Sequence, residues 1–123
     1  MSKVAAAGII ALSILSGSAL ADEEKGETVF AKCKACHDIE KGVNKVGPTL
    51  KGVVGRKAAS VEGYKYSEAM AAKGAEGLVW DEANLTTYLA DPKAFVPKTK
   101  MAFAGLKKPE DVADVVAYLK AHP

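Results

Sequence analysis

Residues 33–37 read CKACH and are the most informative stretch of this 123-residue chain. A C-x-x-C-H sequence is the signature of covalent attachment of a c-type haem. On a helical turn, positions i, i+3 and i+4 share one face, so Cys33, Cys36 and His37 can point the same way. The thiols can then reach the two vinyl groups of one porphyrin while the imidazole meets the iron. The motif predicts one covalently bound haem c, with His37 as an axial ligand.

Three other interpretations of the two thiols remain open. A thioredoxin-like dithiol normally opens a helix after a strand, but no strand-like run precedes Cys33. A zinc site needs four ligands, and residues 22–123 offer only the motif residues and His122. Adjacent Cys36 and His37 cannot easily bind one tetrahedral ion. An incidental pair of thiols is the third interpretation, and the motif favours haem over all three.

The second axial ligand determines what a haem protein does. The candidates are Met70, Met101, His122 and a few lysines. Met101 lies in residues 96–103, VPKTKMAF, a loop without helical period that can present a thioether to the iron. Met70 lies in a short predicted helix, where methionine usually fills the core. His122 is penultimate, and we expect it to fray and be solvated. The sequence therefore predicts ligation by His37 and Met101.

Residues 1–21 have the composition of a secretory signal peptide. Residues 4–15 are almost entirely apolar, and ALA at 19–21 matches the A-x-A form of a cleavage site. Charged residues return immediately afterwards. We expect cleavage after Ala21, export to the periplasm, and a single mature domain over residues 22–123. A retained membrane anchor is the alternative.

The composition is that of a small globular protein. Hydrophobic residues make up 49%, charged residues 26%, and the net charge is +2. These values argue against a strongly basic nucleic-acid binder and against an acidic disordered tail. Two cysteines cannot form a disulfide-dense scaffold. Because so small a domain has little apolar volume, we expect a bound cofactor to complete the core.

Hydrophobic periodicity predicts an all-α chain of four or five short helices wrapped around one haem. The first helix is expected over residues 24–37, and the last begins at Pro109. The last helix carries a buried stripe with helical spacing. The residues of that stripe are Val112, Val115, Val116 and Leu119. Residues 38–63 are rich in glycine and are expected to form a loop that approaches a flat cofactor closely.

Polar residues and prolines mark where the middle helices start and stop. Ser67 is predicted to cap a short helix that Gly74 ends. Asp81 is predicted to cap a helix over residues 82–90. The Asp-Pro pair at 91–92 stops that helix and starts a short turn through Phe95.

With both ligands placed, the chain resembles the class I cytochromes c, specifically the bacterial c2 type close to mitochondrial cytochrome c. The resemblance covers essentially all of residues 22–123 and implies the cytochrome c fold. It rests on CKACH at 33–37, GPTL at 47–50, GR at 55–56, Trp80, YL at 88–89 and PKTKM at 97–101, in that order. It also implies that Gly26 and Phe30 of the first helix cross the last helix near Val115 and Tyr118.

The resemblance assigns roles to residues around the haem. It implies that the Pro48 carbonyl accepts a hydrogen bond from the His37 ring. The other residues it places there are Arg56, Tyr66 and Trp80 at the propionates, Tyr88 and Thr99 on the Met101 side, and Phe103 at the exposed haem edge.

A haem ligated by His37 and Met101 has no open iron position, and a thioether ligand raises the reduction potential. We therefore expect a monomeric one-electron carrier rather than an enzyme. The resemblance implies partners such as a cytochrome bc1 complex, a terminal oxidase, a photosynthetic reaction centre or a periplasmic dehydrogenase. The alternative is a haem with an open sixth position that binds gases or turns over peroxide. Carbon monoxide binding to the ferrous protein distinguishes the two.

Charge placement is expected to guide docking. The resemblance places a group of lysines at or beside the haem edge. They are Lys32, Lys45, Lys93, Lys98, Lys100, Lys107 and Lys108. Acidic residues cluster elsewhere, within residues 22–27 and 110–114. This segregation would steer the haem edge towards acidic docking faces. An ordinary solvated surface is the alternative for any single lysine.

Overall fold

The computed structural model describes residues 20–123. Residues 1–19, most of the predicted signal peptide, lie outside the described residues. The chain forms five helices: α1 (Glu23–Phe30), α2 (Glu68–Ala75), α3 (Glu82–Ala90), α4 (Pro92–Phe95) and α5 (Pro109–Lys120). Within residues 20–123 there is no β-strand, and the only β-type pairing is an isolated bridge between Lys57 and Val79. The prediction of a chain with helices and no sheet is confirmed.

No helix of the described part combines the length and the apolar character needed to cross a lipid bilayer.

The predicted helix starts are confirmed. The Ser67 side chain accepts a hydrogen bond from the Met70 amide at 3.1 Å. Asp81 accepts one from the Asn84 amide at 2.8 Å. The short helix α4 starts at the predicted Asp-Pro pair, and Pro109 occupies the first turn of α5, where its missing N–H costs nothing.

The first helix is shorter than predicted. α1 ends at Phe30, and residues 31–36 form successive turns in place of the helix expected over 24–37. The Cys33 amide donates to the Phe30 carbonyl at 2.7 Å, and the His37 amide donates to the Cys33 carbonyl at 2.9 Å. The haem motif therefore occupies a helical turn of its own. Its spacing is the same in a long helix and in a single turn, so the sequence did not distinguish them.

Gly74 does not end α2, as the sequence had predicted. It is buried inside the helix, where a Cβ atom would lie 2.5 Å from the Ala58 carbonyl oxygen. The helix runs on to Ala75, and the left-handed glycine that follows is Gly77, with φ +90°. Gly74 serves close packing between α2 and the loop before it, which is a long-range contact.

The core is anchored where α1 packs on α5. Gly26 lies directly against the Asp114 backbone and the Tyr118 Cβ atom. The rings of Phe30 and Tyr118 pack with their centroids 5.2 Å apart. The crossing implied by the resemblance is therefore present. The predicted stripe is buried in full: Val112, Val115, Val116 and Leu119.

Hydrogen bonds and ring packing hold His122 in place, so the expectation that it frays and is solvated is wrong. His122 is half-buried, and its Nδ1 atom lies 2.7 Å from the Tyr118 carbonyl oxygen. Its ring packs on the Tyr118 ring at 4.5 Å. Its carbonyl accepts a hydrogen bond from the Gly52 amide at 2.8 Å. These contacts leave His122 as part of the α5 end rather than as a ligand in the loop region.

Candidate haem site

The two thiols of residues 33–37 differ in exposure. Cys36 is exposed and Cys33 is half-buried. Burial raises the pKa of the Cys33 thiol, and the neighbouring Cys36 adds to this shift while Lys32 opposes it. Redox-active dithiols need the opposite, a lowered pKa that favours the thiolate. Burial therefore disfavours, at Cys33, the thiolate that a thioredoxin-like centre would need.

The His37 ring is held in one orientation by the GPTL segment. Its Nδ1 atom lies 2.8 Å from the Pro48 carbonyl oxygen. Because a carbonyl only accepts, Nδ1 must carry the proton and Nε2 is left with its lone pair. Burial lowers the pKa of His37, the hydrogen bond to Pro48 opposes this, and Arg56 reinforces it. A neutral imidazole with a free Nε2 is the form that binds a metal.

Gly47 makes this arrangement possible. A Cβ atom at this position would lie 2.6 Å from Nδ1 of His37, so any other residue would displace the ring. The Gly47 amide donates to the Cys36 carbonyl at 2.7 Å, which ties the GPTL segment to the motif. The backbone must pass directly beside the imidazole, and only glycine allows it.

Met101 lies half-buried in its loop, with two neighbours that position it. The Tyr88 hydroxyl donates to the Met101 sulfur at 3.7 Å. The Met101 amide donates to Thr99 Oγ1 at 3.2 Å. Burial raises the pKa of Tyr88, and a hydrogen bond with Thr99 opposes the shift, so the phenol remains a neutral donor. The loop turns through Lys98, which has the left-handed φ of +63°.

Arg56 has an incomplete set of hydrogen bonds. Its Nη1 atom donates to the carbonyls of Thr49 at 2.9 Å and Lys51 at 3.3 Å. Its Nε atom is buried and has no partner among the described residues. Burial lowers the pKa of the Arg56 guanidinium, and Tyr66 opposes this shift.

The aromatic residues named in the sequence lie in two groups. Trp80 is buried, with its ring centroid 4.8 Å from that of Tyr88, and Phe95 packs near both. Tyr66 is half-buried, packs edge-on against Tyr64 at 4.8 Å, and its hydroxyl accepts from the Val61 amide at 3.1 Å. Phe103 is half-buried against the core. The first group adjoins Met101, whereas the second lies in the loop before α2.

All the lysines predicted to ring the haem edge are exposed. Three have anchored head groups. Lys45 donates to the Lys34 carbonyl at 2.7 Å, and Lys107 donates to the Ala104 carbonyl at 3.0 Å. Lys100 lies 4.6 Å above the Tyr64 ring and donates to the Lys65 carbonyl.

Comparison with known proteins identifies one family. The Cytochrome c family model matches residues 23–123. The chain belongs to the cytochrome c family. It is 58% identical over 92 residues to cytochrome c2 iso-2 of Magnetospirillum fulvum, which spans 75% of this chain and 93% of that protein. It is 48% identical over 118 residues to cytochrome c2 of Rhodomicrobium vannielii, or 95% of this chain and 92% of that one.

A solved structure agrees with this assignment. Cytochrome cH from Methylobacterium extorquens matches with a TM-score of 0.74 and 53% identity, covering 81% of this chain and 98% of that chain. The predicted family and the cytochrome c fold are confirmed. As a cytochrome c, the protein carries one covalently bound c-type haem and functions in electron transport.

The residues present fit a haem. A buried guanidinium N–H without an acceptor is costly, and a propionate carboxylate would satisfy Nε of Arg56. The neutral imidazole of His37 leaves Nε2 free for iron, and the chain also supplies a positioned thioether at Met101. The unpaired Nε atom of Arg56 and the donor atoms of His37 and Met101 therefore both fit a bound haem.

Two positions that support the site had not been identified from the sequence. Asn44 accepts from the Thr49 amide at 3.0 Å and donates to the Glu62 carbonyl at 3.1 Å, so it links the GPTL segment to the following loop. The Tyr64 hydroxyl donates to the Val46 carbonyl at 3.0 Å. Asn44 has no sequence signal, because both of its partners are backbone groups. Tyr64 could have been noticed as an aromatic residue close to Tyr66.

Proposed function

We propose that this cytochrome c is a monomeric, periplasmic one-electron carrier with a six-coordinate haem. Cys33 and Cys36 attach the haem, and His37 and Met101 ligate its iron. The observation that carries the proposal is the Met101 sulfur held by the Tyr88 hydroxyl at 3.7 Å. A methionine that merely filled the core would not need a polar partner at its sulfur.

Attachment through Cys33 and Cys36 follows from the cysteine inventory. The chain has two cysteines and both lie in residues 33–37. A covalently bound c-type haem uses thiols of this motif. The two thiols are free of any disulfide and lie on one helical turn with His37.

The protein's own residues set the properties of the site. When bound, the haem supplies an iron that alternates between the ferric and ferrous states. The Pro48 carbonyl orients the His37 ring and increases its basicity. The Met101 thioether favours the ferrous state. Because hydrogen bonds fix both side chains, neither has to move when an electron arrives or leaves.

The surroundings exclude water and balance charge. Trp80 and Tyr88 are buried and pack together beside the Met101 loop, which keeps that side apolar. Arg56 offers its buried Nε to an anionic group. A low dielectric around the iron and neutralised propionates both shift the reduction potential.

Export and docking complete the proposal. A signal peptide over residues 1–21, cleaved after Ala21, would deliver the chain to the periplasm. Exposed lysines at the haem edge would steer it to acidic faces on electron-transfer partners. By the resemblance, these partners are a cytochrome bc1 complex, a terminal oxidase, a reaction centre or a periplasmic dehydrogenase. An enzymatic or gas-binding role requires an open iron position, which Met101 ligation denies.

The test is a pair of methionine variants of the exported haem protein. We expect Met101→Ala to lower the reduction potential and to let the ferrous protein bind carbon monoxide. The matched control is Met70→Ala, because Met70 is also half-buried and packs against the core. It should retain the wild-type potential and exclude carbon monoxide. If Met101→Ala kept the wild-type potential, Met101 would not be the ligand.

A further inference from the structure

We infer that cleavage after Ala21 creates an ion pair between the new amino terminus at Asp22 and the Asp114 carboxylate, which fastens α1 to α5. The inference rests on the export and cleavage proposed above. It assigns a structural consequence to proteolytic processing: the same nitrogen is a neutral amide in the precursor and an ammonium in the mature protein.

The atoms of this pair are already in contact. The Asp22 backbone nitrogen lies 2.9 Å from Asp114 Oδ1, although the two residues are 92 positions apart. Asp114 is only 8% exposed, in the part of α5 that packs on Gly26 of α1. A buried carboxylate needs a hydrogen-bonding partner, and the Asp22 nitrogen is the one the structure provides.

The position of the Asp22 nitrogen is set by hydrogen bonds at the start of α1. Asp22 is the N-cap of α1, and its side chain accepts from the amides of Glu24 at 2.9 Å and Lys25 at 3.3 Å. These bonds fix its Cα atom, to which the nitrogen is attached. Ala21 is exposed, so it contributes no buried contact that would hold this nitrogen. Removal of residues 1–21 therefore leaves the nitrogen beside Asp114.

Cleavage changes the charge on that nitrogen. In the precursor the amide already donates to an ionised acceptor, and cleavage adds the Coulomb attraction between an ammonium and that carboxylate. An ammonium at the start of a helix is otherwise unfavourable, because the macrodipole is positive there. The Asp114 carboxylate offsets that repulsion, as do Glu23 and Glu24 in the first turn of α1.

The remaining charges around the pair are mixed. The groove between α1 and α5 is lined by charged side chains from the two N-cap residues and from the helices themselves: Asp22, Lys108, Lys25, Glu110, Asp111 and Asp114. Acidic groups outnumber basic ones in this set, so the local field favours an ammonium. The mature terminus should therefore be held more tightly than the same residue in the precursor.

The experiment starts from the full chain, exported and loaded with haem. The intact mass of the purified protein establishes whether Asp22 is the first residue. A second version carries one glycine inserted between Ala21 and Asp22, so that cleavage leaves an amide at the Asp22 nitrogen. Asp114→Asn is made in both versions, and Glu62→Gln, the same loss of charge at an exposed carboxylate outside this groove, is the matched control.

We expect the unfolding equilibrium constant of the mature protein to rise about fivefold with Asp114→Asn and by a similar factor with the glycine insertion, because each change removes the attraction between the ammonium and the carboxylate. The two changes together should raise the unfolding equilibrium constant little more than either change alone, because both remove the same ion pair. Glu62→Gln should change the constant by less than about twofold. Equal effects of Asp114→Asn with and without the glycine would overturn the inference.

The pH dependence gives a second readout. A salt-bridged ammonium has a raised pKa in the folded state, so its stabilisation is complete below the unfolded value of about 7.7 to 8.0 and is lost as the pH rises through the folded value. The stability advantage over the glycine version should therefore disappear in alkaline solution. A constant advantage would contradict the ion pair. A first residue other than Asp22 would overturn the cleavage itself, whereas the absorption spectrum of the haem tests the proposed iron ligation separately.

Discussion

Replacing Gly26 with alanine tests the close contact between α1 and α5. The new Cβ atom would lie 2.8 Å from Tyr118 Cβ and would overlap the Asp114 carbonyl oxygen. The oxygen belongs to the backbone of α5, so no side-chain rotation relieves the overlap and the helices must separate. Overpacking of this kind costs up to about 3 kcal/mol. The higher helix propensity of alanine offsets about 1 kcal/mol of this loss in the free energy of unfolding.

We therefore expect Gly26→Ala to lower the free energy of unfolding by about 2 kcal/mol, which corresponds to a fall in Tm of about 8 to 16 °C for a domain of this size. Guanidinium unfolding of the haem protein, followed by far-ultraviolet circular dichroism, measures the loss. Thr28→Ala is the control, because Thr28 is exposed on the same helix and gains helix propensity without the overlap. A Gly26→Ala protein as stable as the wild type, with an unchanged m-value, would refute the close packing.

Three further changes test separate parts of the molecule. Lys93→Glu should slow electron exchange with an acidic partner at low salt and much less at high salt. Lys25→Glu, the same charge change within the acidic cluster, should leave the rate of exchange unchanged. Stopped-flow rates measured against ionic strength test both variants. Lys98→Gly should raise the free energy of unfolding by up to about 1 kcal/mol, because a φ of +63° is strained for lysine. An unchanged midpoint in chemical denaturation would argue against that strain. Asp81→Ala should lower the free energy of unfolding by about 1 kcal/mol, because it removes the side chain that caps the Asn84 amide. An unchanged Tm in thermal unfolding would show that this cap does not stabilise the protein.

Features determined by neighbouring residues were predictable from the sequence. The haem cofactor follows from residues 33–37, whose spacing alone describes the chemistry, and the family comparison confirms the cofactor. The starts of α2, α3 and α4 follow from Ser67, Asp81 and the Asp-Pro pair at 91–92. In each case the residues that give the prediction lie within one helical turn of the feature that they predict.

Features determined by distant contacts were not predictable. Gly74 has the composition signal of a helix end, but its role is set by the Ala58 backbone against which it packs. His122 is near a terminus, yet the Tyr118 ring and the Gly52 amide hold it in place. The unpaired Nε of Arg56 emerges only when burial is known. Pairwise packing across the fold is not encoded in local spacing.

Carbon monoxide tests most directly whether the haem of this protein has an open iron position. The measurement is the absorption spectrum of the exported wild-type protein, oxidised and reduced, before and after addition of carbon monoxide. We predict a sharp reduced c-type spectrum that carbon monoxide leaves unchanged, because His37 and Met101 occupy both axial positions. A reduced spectrum that shifts with carbon monoxide would contradict the account and would show an iron open to a gas or a substrate.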